Sequence, residues 1–74
     1  MINYDAEWNA GELGCGDLVL ELRQRLRQMP GMVLKVIAVD AGAPADLPAW
    51  CNMTGNKLVS YDPDARAFWI RAKA

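Results

Sequence analysis

Histidine is absent from the 74-residue sequence. That removes the commonest general base, the usual zinc ligand and the cysteine–histidine couple of thiol enzymes. Cysteine is scarce too. Cys15 and Cys51 are the only two, too few for a tetrahedral metal site or a disulfide framework. There is no surplus of positive charge: eight lysines and arginines face nine carboxylates, for a net charge of −1. Proteins that bind nucleic acid draw much of their affinity from cations that neutralise phosphates, so direct nucleic-acid binding is not expected. No paired carboxylates stand at a spacing that suggests a glycoside-type hydrolase. No apolar run approaches the ~20 residues of a membrane span. The opening Met-Ile-Asn-Tyr-Asp lacks the basic start and apolar stretch of a secretion signal. The expectation is a cytoplasmic chain with free thiols and no membrane contact.

What the sequence does have is apolar mass. Hydrophobic residues make up 53% of it, including three tryptophans, two tyrosines and one phenylalanine. Residues 1–74 are expected to form a single domain, near the lower size limit for folding without a staple. Such a chain can bury a compact core but not a deep cleft, which puts any chemistry near the surface.

Hydrophobic periodicity predicts the order β-α-β-α-β-β. Residues 4–9 read as a short strand with Tyr4, Ala6 and Trp8 on one face. Gly11, Gly14 and Gly16 then interrupt regular structure. From Asp17 onward Leu18, Val19, Leu22, Leu26 and Met29 recur at helical spacing, and Pro30-Gly31 closes the helix. Residues 32–39 are almost wholly apolar and rich in β-branched side chains, as in a central strand. Residues 44–54 form a second helix, with Leu47, Trp50, Cys51 and Met53 facing inward, Pro48 in the first turn and Gly55 as the C-terminal cap. Residues 57–61 and 67–72 are strands joined by Asp62-Pro63-Asp64-Ala65, with Phe68 and Ile70 on one face and Trp69 and Arg71 on the other. Strands alternating with helices and ending in a hairpin predict an α/β two-layer sandwich. Its four-stranded sheet is mixed, and both helices lie on one face.

Cys15 stands between Gly14 and Gly16, immediately before the first helix. The first turn of a helix carries unpaired N–H groups and partial positive charge, which stabilise a thiolate or persulfide and lower the thiol pKa. Flanking glycines leave the sulfur approachable by another protein. On residue chemistry alone a second role stays open, that of a small apolar side chain filling a tight corner. Asp17 fits as a helix cap, although its charge opposes a nearby thiolate.

The run Leu13-Gly14-Cys15-Gly16-Asp17-Leu18 at the head of an amphipathic helix resembles the Cys-Pro-x-Pro region of the TusA/SirA family of persulfide-carrying sulfurtransferases. The likeness continues through Met29-Pro30-Gly31, the strand from Val33 to Val39, Asp40, the segment Asp46-Leu47-Pro48-Ala49-Trp50-Cys51 and Gly55-Asn56-Lys57-Leu58-Val59. The resemblance implies a two-layer α/β sandwich in which Cys15 accepts sulfane sulfur from a cysteine desulfurase or rhodanese. The persulfide then passes to a downstream acceptor protein, without metal or organic cofactor. Relays of this kind feed tRNA thiolation, molybdenum-enzyme maturation or sulfur oxidation. Gly16 and Leu18 stand where the family motif has proline, and Asp17 occupies its variable position. That departure leaves a second class of function open: a non-catalytic interaction module that keeps the fold and has lost transfer.

The remaining chemistry-bearing residues have simpler expectations. Cys51, beside Trp50 in an apolar context, is expected to be buried and inert, the alternative being a resolving thiol for Cys15. Arg23, Arg25 and Arg27 suit either partner docking or a solvated helix face. Trp8, Trp50 and Trp69 are expected in the core or on the sheet, and Asp40 and Asp46 at the second helix's entry as caps. The free protein is expected to be a monomer.

Overall fold

In the computed structural model, which describes residues 2–74 and, of Cys15, the backbone, six elements follow the expected order. They are β1 (Ala6–Gly11), α1 (Cys15–Arg27), β2 (Val33–Ala38), α2 (Ala43–Thr54), β3 (Lys57–Asp62) and β4 (Ala67–Arg71). The sheet order is β1-β2-β4-β3. β1 runs parallel to β2, while β4 is antiparallel to both β2 and β3, so the sheet is mixed. Both helices pack on one face of it, as the alternation of apolar residues requires. Leu34, Val36 and Ala38 of β2 and Phe68 and Ile70 of β4 meet Leu18, Leu22 and Leu26 of α1 and Leu47 and Cys51 of α2 in one buried cluster. Tyr61 stacks on Phe68 across β3 and β4, with ring centroids 4.5 Å apart.

Among the described residues no second layer covers the opposite sheet face. Lys35 sits at its centre, with its ammonium 5.3 Å from the Tyr4 ring and 5.6 Å from the Trp69 ring. Its partner on β1, Glu7, lies 3.8 Å away. Cation–ring contacts and a partly shielded ion pair thus organise this face in place of apolar burial.

The ends of all four strands differ by one or two residues from expectation, and Gly11 lies in β1 and Gly16 in α1, although both were expected to interrupt regular structure. Three starts bear on the site. β1 starts at Ala6 because Asp5 clamps the chain before it: the Asp5 N–H donates to the Val33 carbonyl, and the Val33 N–H to Asp5 Oδ2, each at 2.8 Å. Alternation is broken there, so Tyr4 lies by Lys35 while Trp8 lies against α1, and the two do not share a face. α1 begins two residues earlier than Asp17. α2 begins at Ala43, because a turn through Asp40 (Gly42 N–H to Asp40 Oδ2, 3.0 Å) starts the helix early. Pro44 therefore fills the first turn and Pro48 lies inside the helix, where it cannot donate to the carbonyl one turn back.

Side-chain expectations were mostly met in the core and missed at one edge. Met53 is 81% exposed, not inward, while Leu47 and Cys51 are buried and Trp50 is half-buried. Gly55 ends α2 at φ +80°, the left-handed conformation expected of a C-terminal cap. Asp62 Oδ1 accepts from the Asp64 and Ala65 N–H groups, which fixes the closing hairpin.

Candidate functional site

The end of β1 sets up the corner where α1 starts. At Asn9–Gly11 the register with β2 slips by one residue. The Asn9 side chain accepts the Gly11 N–H at 2.9 Å, and Gly11 takes φ +59°. The chain thereby leaves the sheet and turns at once, with the Leu13 N–H bonded to the Ala10 carbonyl at 3.3 Å. Leu13 packs against the core. Gly14 follows in extended conformation (φ −70°, ψ 162°) as the N-cap of α1. Cys15 is therefore the first residue of the helix, where it was expected to precede it. Its side chain, expected to be the reactive group, lies outside the described residues.

The first bond of the α1 ladder runs from the Leu18 N–H to the Gly14 carbonyl at 2.8 Å. The amides of residues 15–17 precede that ladder. Gly14 offers no side chain, and among the described residues α1 has no side-chain cap hydrogen bond. Asp17 was expected to cap the helix. It lies instead inside the first turn, three residues past the N-cap, where its carboxylate complements the helix dipole without capping. The helix end thus remains an uncapped set of donors at the Cys15 backbone. A Cβ added at Gly14 or Gly16 would meet nothing within 4 Å, so the approach to this corner is open on both sides. Leu18 is fully buried and anchors the first turn to the core, whereas Leu20 presents an apolar side chain, 56% exposed, a little further along the helix.

The structure divides the three arginines. Arg25 lies on the β1 side, its guanidinium 4.5 Å over the Trp8 ring and 3.2 Å from Glu21. Arg23 and Arg27 lie on the other flank, facing α2, in a groove shared with Lys73. They do not make one docking face. Residues two apart on a helix diverge by about 200°, so Arg25 points away from Arg23 and Arg27, which are themselves one turn apart. Lys73 went unnoticed in the sequence because it follows β4. The register of the closing hairpin, which pairs Lys57 with Arg71, is the signal that places it beside Asn56.

Cys51 is 1% exposed in the core, and burial pushes its thiol pKa up from 9.0 to about 11. It sits in the second half of α2. Because α1 and α2 both return antiparallel to the parallel strands they follow, their N-termini share one end of the sheet, and the Cys51 backbone lies away from the corner of Cys15. Among the described residues no helix is long and apolar enough to cross a membrane.

Comparison with known proteins bears on the whole of this arrangement. The model of the family described as Sulfurtransferase TusA matches residues 7–72. A protein of Pseudomonas putida (strain GB-1) named Sulfur carrier protein TusA is 41% identical over 73 residues, which cover 95% of this chain and 91% of that one. Proteins of the same name from Pseudomonas syringae pv. syringae (strain B728a) and Pseudomonas aeruginosa (strain LESB58) are each 38% identical. They cover 99% and 97% of this chain and 90% and 95% of their own. The match runs from the second residue of β1 to just past the end of β4, across the corner that carries Cys15, and the chain belongs to the TusA family.

Proposed function

We propose that this chain is a sulfur-relay protein of a single domain that carries sulfane sulfur as a persulfide on Cys15 and hands it to a partner thiol. The observation that carries the reading is the uncapped N-terminus of α1 at Cys15, open on both glycine sides. The name sulfur carrier borne by its relatives supports it.

The chemistry is thiol exchange without net redox. The Cys15 thiolate attacks the outer sulfur of a donor persulfide. The new bond joins Cys15 Sγ to that sulfur, the donor's own S–S bond breaks, and its electron pair leaves on the donor thiolate. A partner thiolate then attacks the same outer sulfur and Cys15 thiolate departs. Both anions are favoured by the backbone N–H groups of residues 15–17 and the positive end of the helix. No group of this chain has to act as a base, which suits a sequence without histidine. The donor chemistry is that of a cysteine desulfurase or rhodanese, and the setting is the cytoplasm, where thiols stay reduced.

The test is intact-protein mass spectrometry after incubation with a cysteine desulfurase and cysteine. The expected result is a gain of one sulfur by the unaltered chain and by Cys51→Ser, and none by Cys15→Ser. No gain with desulfurase or rhodanese donors would leave the fold as an interaction module.

A further inference from the structure

A groove of about 560 Å³ runs between α1 and α2 toward their C-terminal ends, on the far side of α1 from Trp8. Its cations are Arg23, Arg27 and Lys73. Three of the chain's eight lysines and arginines therefore line one small cavity of a protein whose net charge is −1. No aspartate or glutamate side chain is among its lining residues, which also include Ala74, and among the described residues none of the three cations makes an ion pair. Arg23 and Arg27 are one turn apart, which sets them side by side on the helix. Trp50, half-buried, supplies an aromatic wall.

The far wall is held in place by a chain of hydrogen bonds. Thr54 Oγ1 donates to the Trp50 carbonyl at 2.8 Å and accepts from Asn56 Nδ2 at 2.8 Å. Asn56 Oδ1 accepts the Lys73 backbone N–H, again at 2.8 Å. The Lys73 stem lies across Gly55, where an added Cβ would come within 3.2 Å of its Cδ. The backbones that carry the aromatic wall and the third cation are thus tied to one another before any ligand arrives, which lowers the cost of ordering that backbone on binding.

We propose that this groove is a binding site for a nucleotide, with Arg23, Arg27 and Lys73 taking its phosphates and Trp50 contacting its base. Several unpaired cations gathered at one small cavity match a compact multivalent anion, and guanidinium pairs suit phosphate oxygens in particular. A cavity of this volume falls within the usual range for small-molecule sites. An acidic protein segment, the competing occupant, spreads its carboxylates along several residues and has no use for the indole. The site goes beyond the sulfur-relay reading and does not depend on it. Arg23 and Arg27 lie about 12 and 18 Å along α1 from the Cys15 backbone.

The test is a titration followed by tryptophan fluorescence and calorimetry, using ADP, pyrophosphate, adenosine and hexaglutamate as probes, on both the unaltered chain and Cys15→Ser. Saturable ADP binding is expected in both, with pyrophosphate weaker and adenosine weaker still. Arg23→Gln, Arg27→Gln and the exposed Lys73→Gln should each weaken ADP about tenfold, the loss of one charge-assisted contact. Trp50→Phe should retain ADP binding. Circular dichroism melts of the same variants show that the fold is intact. The proposal is overturned by absence of saturation at ~10 mM ADP and pyrophosphate, well beyond the millimolar regime of weak specific sites. It is equally overturned by ADP affinity indifferent to the three cations, or by hexaglutamate binding more tightly than ADP. Persulfide loading in the separate desulfurase assay is unaffected by any of these results.

Discussion

Two proline substitutions, two residues apart, should move stability in opposite directions. Gly16 and Leu18 stand where the family motif has proline, and the structure gives them unlike surroundings. Gly16 is the second residue of α1; its N–H lies before the first ladder bond, and a Cβ there meets nothing within 4 Å. Gly16→Pro therefore sacrifices no helical hydrogen bond and narrows the unfolded ensemble, a gain of about 0.4–1 kcal/mol. Crowding of the preceding residue takes back part of that. The net, about 0.5 kcal/mol, corresponds to a rise in melting temperature of roughly 2–4 °C for a domain this small. Leu18 is different. Its N–H closes the 2.8 Å bond to Gly14, and its side chain is fully buried. Leu18→Pro loses that bond, about 1 kcal/mol, and most of a core leucine, about 3 kcal/mol. Roughly 4 kcal/mol is the scale of the whole stability of many domains of this length. Urea unfolding followed by circular dichroism reads both. A cooperative Leu18→Pro within about 1 kcal/mol of the parent would refute the reasoning, as would a Gly16→Pro that is destabilised by more than that.

Other outcomes follow from the same geometry. Cys51 is a neutral thiol in the fold with its pKa raised by burial to about 11 against 9.0, so the folded state binds the extra proton between those values. Its contribution is complete below pH 9.0 and is lost as pH rises toward about 11, about 3 kcal/mol in all. Cys51→Ala should flatten the alkaline fall in stability measured by urea unfolding. Gly55→Ala should cost about 1–2 kcal/mol, because alanine is forced to φ +80° and its Cβ displaces the Lys73 stem; chemical denaturation measures it. Among the described residues Trp69 Nε1 is buried with no hydrogen-bond partner, so Trp69→Phe removes an unsatisfied donor along with ring area and should lie within about 1 kcal/mol of the parent in the same assay.

The fold was legible because its signals were local and consistent. Leu18, Leu22 and Leu26 announced the buried stripe of α1, the β-branched run of β2 announced the central strand, and Asp62-Pro63-Asp64-Ala65 announced the hairpin. The misses came where one side-chain hydrogen bond set a boundary. Asp5 reaching Val33, distant in the chain, delayed the start of β1, and Asp40 reaching Gly42, two residues on, started α2 early and left Pro48 inside it. At the candidate site, Cys15 between two glycines was visible in the sequence, as was the helix after it. That Gly14 and not Cys15 or Asp17 occupies the N-cap was not, since glycine and aspartate are both acceptable there. The partition of the arginines needed the third dimension: only packing decides that Arg25 lies on Trp8 while Arg23 joins Lys73.

The strand order has one more consequence. β2 and β4 are each held on both sides, whereas β1 is an outer strand bonded to β2 alone. Its amides therefore open to solvent at lower free energy than those of the inner pair, and hydrogen exchange should sort the strands accordingly. The chain passes from β1 into the Cys15 corner within four residues. Strain applied at that corner is therefore borne first by the edge of the sheet, while β2 and β4, each held on both sides, are the better placed to keep their register.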